Sequence, residues 1–234
     1  MKKGIKLHDL RQYSYVLLVL YVPVYLISFF IIEHLVPETA DYWSSWCFLD
    51  DWIPFNEWFV IPYYFWYPLL FIVGIWLMIK DVPNFKLYMY CIMIGFSVSV
   101  IICLIFPNGQ DLRPEVFPRD NFLTDMVKAI YAADTNTNVM PSVHAVGAIV
   151  AAFGICTTET VRNIWIKILS VCMAVLICMA TCFIKQHSVL DVFASLVLCG
   201  VIYIVVYVFI RRSSVSPKYH KERLNKKMTG RCLE

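Results

Sequence analysis

His187 and Asp191 are the pair of residues whose types and spacing most clearly suit catalysis. They lie four residues apart in the segment 185–191, Lys-Gln-His-Ser-Val-Leu-Asp, between two long apolar runs. If a helix begins near His187, this spacing puts both side chains on one face. The carboxylate could then accept the imidazole N–H and fix the tautomer, which leaves the other ring nitrogen as a nucleophile or a base. The pair therefore indicates half of a catalytic site.

A second histidine, His144, follows Pro141, Ser142 and Val143. A proline just before a serine favours the start of a helix, whose first turn presents unpaired backbone N–H groups. Such a helix N-terminus attracts anions. We therefore predict a helix that begins near Ser142, where the serine either caps the helix or also contacts an anion.

The composition indicates that membrane helices position these residues. Of the 234 residues, 60% are hydrophobic and only 16% are charged, which is typical of a multi-spanning membrane protein. Charged groups beside a membrane-length apolar run are costly and usually functional. We predict one all-α domain over residues 1–234, a polytopic membrane protein with six transmembrane helices. The predicted spans are residues 13–32, 59–79, 87–106, 140–156, 164–184 and 187–210.

The distribution of Lys and Arg predicts the orientation of these spans. With six spans, 16 of the 20 basic residues fall on one side, including the basic tail 211–234. By the positive-inside rule that side is cytoplasmic, so both termini are cytoplasmic. His144 and the segment 185–191 then face the extracytoplasmic side of what we expect to be a bacterial plasma membrane.

Two segments on the extracytoplasmic side are too polar or too short to span a membrane. Residues 36–58 alternate aromatic rings with acids, which predicts short interfacial pieces, either a simple aromatic belt or a lipid-entry gate. Residues 107–138 form a predicted polar loop of more than thirty residues, long enough to be functional. We expect its acids, including Asp134, to be solvated.

Three motifs resemble those of the type 2 phosphatidic acid phosphatase (PAP2) superfamily. Pro141-Ser142-Val143-His144 resembles the P-S-x-H motif, His187 to Asp191 resembles H-x-x-x-D, and Arg113-Pro114 resembles the arginine-proline of the first motif. The resemblance covers about residues 105–195 and keeps the family's motif order.

The resemblance implies metal-independent phosphoryl transfer without a cofactor, on a lipid phosphate in the bilayer and with no nucleic-acid partner. His187 would attack phosphorus and form a phosphohistidine, Asp191 would orient it, and His144 would protonate the leaving oxygen. Arg113 and Ser142 would bind phosphate oxygens. The expected enzyme is a lipid phosphatase.

Two cations of the family pattern are absent. Phe106 stands where the first motif commonly has lysine, and Ala180-Thr181 stand where the third commonly has serine-arginine. Lys185 could replace them as a phosphate ligand. The sequence Lys185-Gln186-His187 resembles the branch with inositol phosphorylceramide synthase and sphingomyelin synthase relatives, which implies transfer of a phospho-head group to an alcohol as the alternative to hydrolysis.

Two further classes of function are compatible with parts of the pattern. Two histidines and one aspartate could ligate zinc, although the HExxH spacing is missing. A non-enzymatic transporter is disfavoured because its charges would be expected near the bilayer midplane rather than at span ends.

Overall fold

The computed structural model describes residues 14–35 and 41–211 and consists almost entirely of helices. A 3₁₀ turn, Ser14–Leu20, leads into the first α-helix, and a π-helical stretch, Ile204–Ile210, continues the last one. The α-helices are α1 (Tyr21–Leu35), α2 (Phe48–Trp52), α3 (Val60–Lys80), α4 (Val82–Ile105), α5 (Phe122–Ala133), α6 (Val143–Thr157), α7 (Ile164–Phe183) and α8 (Val189–Tyr203).

Five helical segments in the described residues are long and apolar enough to cross a membrane. They are Ser14–Leu35, Glu57–Lys80, Val82–Ile105, Ile164–Phe183 and Val189–Ile210. The helix in the fourth predicted span, α6, has only 15 residues, or about 22 Å at the usual rise, against a hydrocarbon core of about 30 Å. It starts late because Met140 is held in the preceding loop by the side chain of Asn108. Six complete crossings therefore stay a prediction.

The short helix α6 is the centre of the bundle. It packs against α3, α4, α7 and α8. Small residues allow these close contacts, and a Cβ on Gly147 would come within 2.7 Å of the Trp66 indole nitrogen. The same Trp66 also contacts the ring of His144, so the packing of α6 fixes the surroundings of a candidate catalytic residue.

The turn between the second and third spans is tight. Helix α3 ends at Lys80 and α4 begins at Val82. The carboxylate of Asp81 caps α4 by accepting the Asn84 N–H, and it also accepts a hydrogen bond from Thr158. One residue thus joins α3, α4 and the end of α6.

The polar segment 107–138 is more ordered than a simple loop, which corrects the prediction. Asn121 caps helix α5 by accepting the Thr124 N–H, and α5 buries Val127 and Ile130 on one face. Strand β2 (Asn108–Gly109) pairs in parallel with β1 (Trp43–Ser44). The apolar positions 127 and 130 are one helical turn apart, so the sequence signal was present but short.

The described part of the aromatic segment consists of short pieces, as expected. Trp52 and Trp58 are 79% and 63% exposed. Asp50 and Glu57 are buried, however, and Glu57 accepts a bidentate ion pair from Arg119. The basic N-terminus, residues 36–40 and the tail from residue 212 lie outside the described residues.

Candidate active site

His144 and His187 line one cavity of about 260 Å³ at the end of the bundle where α6 and α8 begin. Their ring centroids are 5.8 Å apart. The two histidines are 43 residues apart in sequence, and the packing of α6 against α8 brings them together. A phosphorus atom between the rings would be within reach of both.

His187 precedes α8 and is held by that helix's first turn. Its Nδ1 lies 3.3 Å from Oδ2 of the fully buried Asp191, which also accepts the Ser188 N–H at 2.9 Å. Ser188 is the N-cap and Asp191 completes a capping box. The sequence therefore uses one carboxylate to start the helix and to orient the imidazole, so that Nε2 is the nitrogen available for chemistry.

His144 lies in the first turn of α6 against a wall of aromatic rings. Its ring stacks on Tyr63 at 4.4 Å and contacts Trp66 at 4.6 Å between centroids. Its Nε2 is buried and makes no hydrogen bond to the described residues. A buried polar atom of this kind calls for a partner, and an oxygen of a substrate in the cavity would supply it.

Arg113 approaches the site from the loop before α5 but is not among the described residues that line the cavity. Its guanidinium donates to the carbonyl oxygens of Asp134 and Thr135 at 2.7 and 2.8 Å, and to Oε1 of Gln186 at 3.2 Å. It also lies over the ring of Tyr131. In this structure Arg113 connects the segment 107–138 to Gln186, the residue next to His187.

Lys185 and Ser142 are also absent from the described cavity wall. The Lys185 ammonium donates to the backbone carbonyl of Asp50 at 2.7 Å, and burial lowers the pKa of this lysine. The Ser142 hydroxyl accepts the Ala145 N–H and caps α6. The cap that the sequence predicted is present, and phosphate binding by these two residues stays a prediction.

Asp50 is a site residue that sequence reasoning missed. Its carboxylate accepts hydrogen bonds from the Ser188 hydroxyl at 2.6 Å and the Val189 N–H at 2.8 Å, so it holds the start of α8. A carboxylate at a helix N-terminus is also favoured by the helix dipole. The signal was an acid among interfacial aromatic residues, but nothing local indicated its partner 138 residues away.

Asp134 was expected to be solvated, and the structure places it in the wall of the cavity instead. Its Oδ2 accepts a hydrogen bond from Gln186 at 2.7 Å. Burial raises the pKa of this carboxyl to about 6, and repulsion from Glu33 adds to the effect. Glu33 in turn accepts hydrogen bonds from Thr135 and Asn138, which ties α1 to the same loop.

The ionisable groups around the cavity are spaced in a way that suits acid–base and nucleophilic chemistry. In residues 14–35 and 41–211, no three His, Cys, Asp or Glu side chains are grouped so that they could hold one ion. The histidines are instead separated across a cavity, with a carboxylate behind one of them.

Comparison with known proteins identifies one family. The profile of the PAP2 superfamily matches residues 87–214, more than half of the chain and including both histidines and Arg113. Searches of curated proteins and of solved structures gave no match.

Proposed function

The chain belongs to the PAP2 superfamily, and from this membership we propose that it hydrolyses a lipid phosphate or diphosphate through a phosphohistidine on His187. The observation that supports this most directly is the geometry of one cavity. His187 and His144 face each other there at 5.8 Å, and Asp191 lies behind His187.

In the first step, Nε2 of His187 attacks phosphorus and the bond from phosphorus to the lipid oxygen breaks. His144, protonated once the phosphate anion is bound beside it, gives its proton to that oxygen, and the lipid alcohol leaves. Asp191 accepts the Nδ1–H of His187 and stabilises the positive charge that the ring gains. A histidine suits each role because its ordinary pKa is near neutral.

In the second step, the now neutral His144 removes a proton from water as the water oxygen attacks the phosphohistidine. The N–P bond breaks, phosphate leaves and both histidines return to their starting states. The N-terminus of α6 faces the cavity beside His144, so its backbone N–H groups and helix dipole favour the negative charge of the phosphoryl group.

Arg113, Ser142 and Lys185 belong to this proposal as phosphate ligands. Arg113 is the closest to that role, since it already contacts Gln186 next to His187. To bind phosphate, its guanidinium would exchange this amide oxygen for a phosphate oxygen, which pairs better with its donors. Lys185 and Ser142 would have to give up the Asp50 carbonyl and the α6 cap.

A second candidate is transfer of the phospho-head group to an alcohol. Two polar residues of the cavity wall favour this reaction. Asp134 and Gln186 face the cavity from the side of the nucleophile. A carboxyl and an amide bind a hydroxyl group well, whereas a carboxylate opposes a phosphate dianion. An alcohol held there would take the place of water in the second step.

The test is turnover by the purified protein of ³²P-labelled lipid phosphates, with and without an added alcohol such as inositol or diacylglycerol. We expect free phosphate, or a new phospholipid if transfer dominates. His187→Ala should abolish both the turnover and any acid-labile phosphoenzyme. His34→Ala is the matched control, because His34 is an exposed histidine on α1; retention of activity by His187→Ala would overturn the mechanism.

A further inference from the structure

One part of the wall of the catalytic cavity is rich in phenol groups that the two proposed steps do not use. Tyr25 of α1 and Tyr63 and Tyr67 of α3 line the cavity together with Asp134. Each of the three tyrosines is close enough to Asp134 to interact electrostatically with its carboxyl. We call Tyr25, Tyr63, Tyr67 and Asp134 the phenol cluster.

Two polar groups of the phenol cluster have no hydrogen-bond partner in the described part of the chain. Tyr63 is buried, at 2% exposure, and its phenol makes no hydrogen bond there. Gln186 donates to Oδ2 of Asp134, whereas Oδ1 of that carboxyl accepts no hydrogen bond from the described residues. Because buried polar groups are normally paired, a ligand between the phenol and the carboxyl would satisfy both.

The chemistry of these two unpaired groups indicates which ligand fits between them. A phenol donates a proton and a carboxylate accepts one, so the ligand must accept from Tyr63 and donate to Asp134. A hydroxyl group does both through one oxygen atom. A phosphate dianion only accepts and is repelled by the carboxylate, whereas an ammonium group only donates and leaves the phenol proton unpaired.

The position of the phenol cluster suits a hydroxyl that takes part in the reaction. The ring of Tyr63 stacks on His144 at 4.4 Å between centroids, so a hydroxyl bound near this ring lies beside the proposed general base. The cavity of about 260 Å³ is several times the volume of a water molecule in the liquid, about 30 Å³. It therefore has room for a small molecule with several hydroxyls next to the phosphoryl group.

From these contacts we propose that the phenol cluster binds a hydroxyl of a small polyol, such as glycerol or inositol, while the phosphoryl group lies between His144 and His187. The proposal rests on the proposed function and makes its second candidate more specific. With a lipid phosphate as donor, the polyol oxygen attacks the phosphohistidine and gives its proton to His144. The N–P bond breaks, and the product is the phosphate monoester of the polyol. A polyol head group on the lipid itself offers the same hydroxyls, and the experiment separates the two sources.

Replacing tyrosine by phenylalanine removes one hydroxyl and keeps the ring. Tyr63→Phe therefore preserves the stacking on His144, and Tyr25→Phe makes the same change on α1. Tyr90→Phe is the matched control, because Tyr90 lies on α4 and is not among the described residues that line the cavity.

The first arm tests a polyol as acceptor. Purified protein is incubated with ³²P-labelled phosphatidate and glycerol, and the ratio of glycerol phosphate to inorganic phosphate is measured in each reaction. We expect Tyr63→Phe to lower this ratio three- to tenfold, the scale of one lost hydrogen bond, and Tyr25→Phe to lower it in the same direction. Tyr90→Phe should keep the wild-type ratio. Because both products come from one phosphoenzyme, a general loss of folded protein does not change the ratio.

The second arm tests a polyol head group. Phosphatidylglycerol and phosphatidylethanol are compared as inhibitors of phosphatidate turnover, since only the first has hydroxyls on its head group. If the phenol cluster binds the head group, the wild type prefers phosphatidylglycerol and Tyr63→Phe loses this preference. A change in the first arm alone assigns the hydroxyl to the acceptor, and a change in the second alone assigns it to the lipid.

The proposal is overturned if Tyr63→Phe and Tyr25→Phe keep both the wild-type product ratio and the wild-type inhibitor preference. It is also overturned if the wild type forms only inorganic phosphate and does not distinguish the two inhibitors. The proposed function would survive either result, because the phosphoenzyme on His187 would still form. Absence of any turnover by the wild type would instead remove the proposed function and this proposal together.

Discussion

The carboxyl of Asp134 shows how the charge of a single residue would act on the proposed phosphate site. It shares the cavity with both histidines, and its pKa is raised to about 6 by burial and by Glu33. His187, Gln186 and Arg113 act in the opposite direction and favour the carboxylate. Near pH 6 the cavity therefore changes between a neutral acid and an anion.

We expect this ionisation to oppose substrate binding as the pH rises. Because the pKa of Asp134 is raised in the folded protein, folding favours the protonated carboxyl. The contribution of this proton to folding stability is complete below about pH 4, the ordinary pKa, and is lost as the pH rises through 6. The ratio of KM for the wild type to KM for Asp134→Asn should rise roughly three- to tenfold between pH 5 and 8, because the carboxylate repels phosphate.

The wild type and Asp134→Asn are measured with the same substrate at each pH. The titration of the lipid phosphate therefore cancels in the ratio of their KM values. Asp120→Asn is the control, because the Asp120 side chain is 91% exposed and belongs to the same polar segment. A KM ratio that stays constant across this pH range would show that Asp134 does not act on the phosphate.

At the scale of elements, the start of α8 is held from outside the bundle. The short helix α2 contributes Asp50, whose side chain accepts from Ser188 and Val189 and whose carbonyl accepts from Lys185. Three residues of the segment 185–189 are thus fixed to one acid. His187 lies between these attachments, so α2 indirectly sets the position of the proposed nucleophile.

We predict that Asp50→Asn lowers kcat ten- to a hundredfold with a smaller effect on KM. The amide keeps the shape but replaces one acceptor oxygen by a donor, which leaves a buried group of α8 unpaired at a cost of about 1–3 kcal/mol. The measurement is steady-state kinetics, with thermal stability of the purified protein recorded in parallel.

Asp51→Asn tests whether the neighbouring acid behaves differently. Asp51 is exposed and accepts a hydrogen bond from the indole of Trp46 rather than from α8. We expect its kcat to stay near the wild-type value, and equal losses in the two variants would argue against a specific role for Asp50.

At the scale of the whole molecule, the parts of the site collect at one end of the bundle. The starts of α6 and α8, the end of α1 and the segment 107–138 all meet there. The opposite end has the Asp81 turn and the connection from α6 to α7. The described membrane helices therefore run alternately in opposite directions between these two ends, as expected of a multi-spanning protein.

We predict that the site end is extracytoplasmic. A cysteine introduced at Asp120 should react with a membrane-impermeant maleimide added to intact cells, and one at Glu159 should react only after lysis. The protein without an introduced cysteine is the control, because its labelling comes from the native cysteines alone. The reverse pattern would place the site on the cytoplasmic face and contradict the positive-inside assignment.

The sequence by itself determined the class of the protein and the candidates for its central site residues. Runs of apolar residues predict the membrane helices because length and hydropathy are local properties. The P-S-x-H and H-x-x-x-D motifs predict PAP2 membership, which is confirmed. The pair His187–Asp191 was predictable because its spacing is that of one helical turn.

Only the tertiary structure decided how distant residues complete the site. Asp50 and Asp134 contact the segment 185–189 from positions 138 and 52 residues away, and no periodicity reports such a contact. Lys185 is predicted to be a phosphate ligand because its charge is local information, whereas its hydrogen bond to the backbone of Asp50 depends on the fold. A second, apolar cavity likewise exists only because α1, α3 and α4 pack with a space between them.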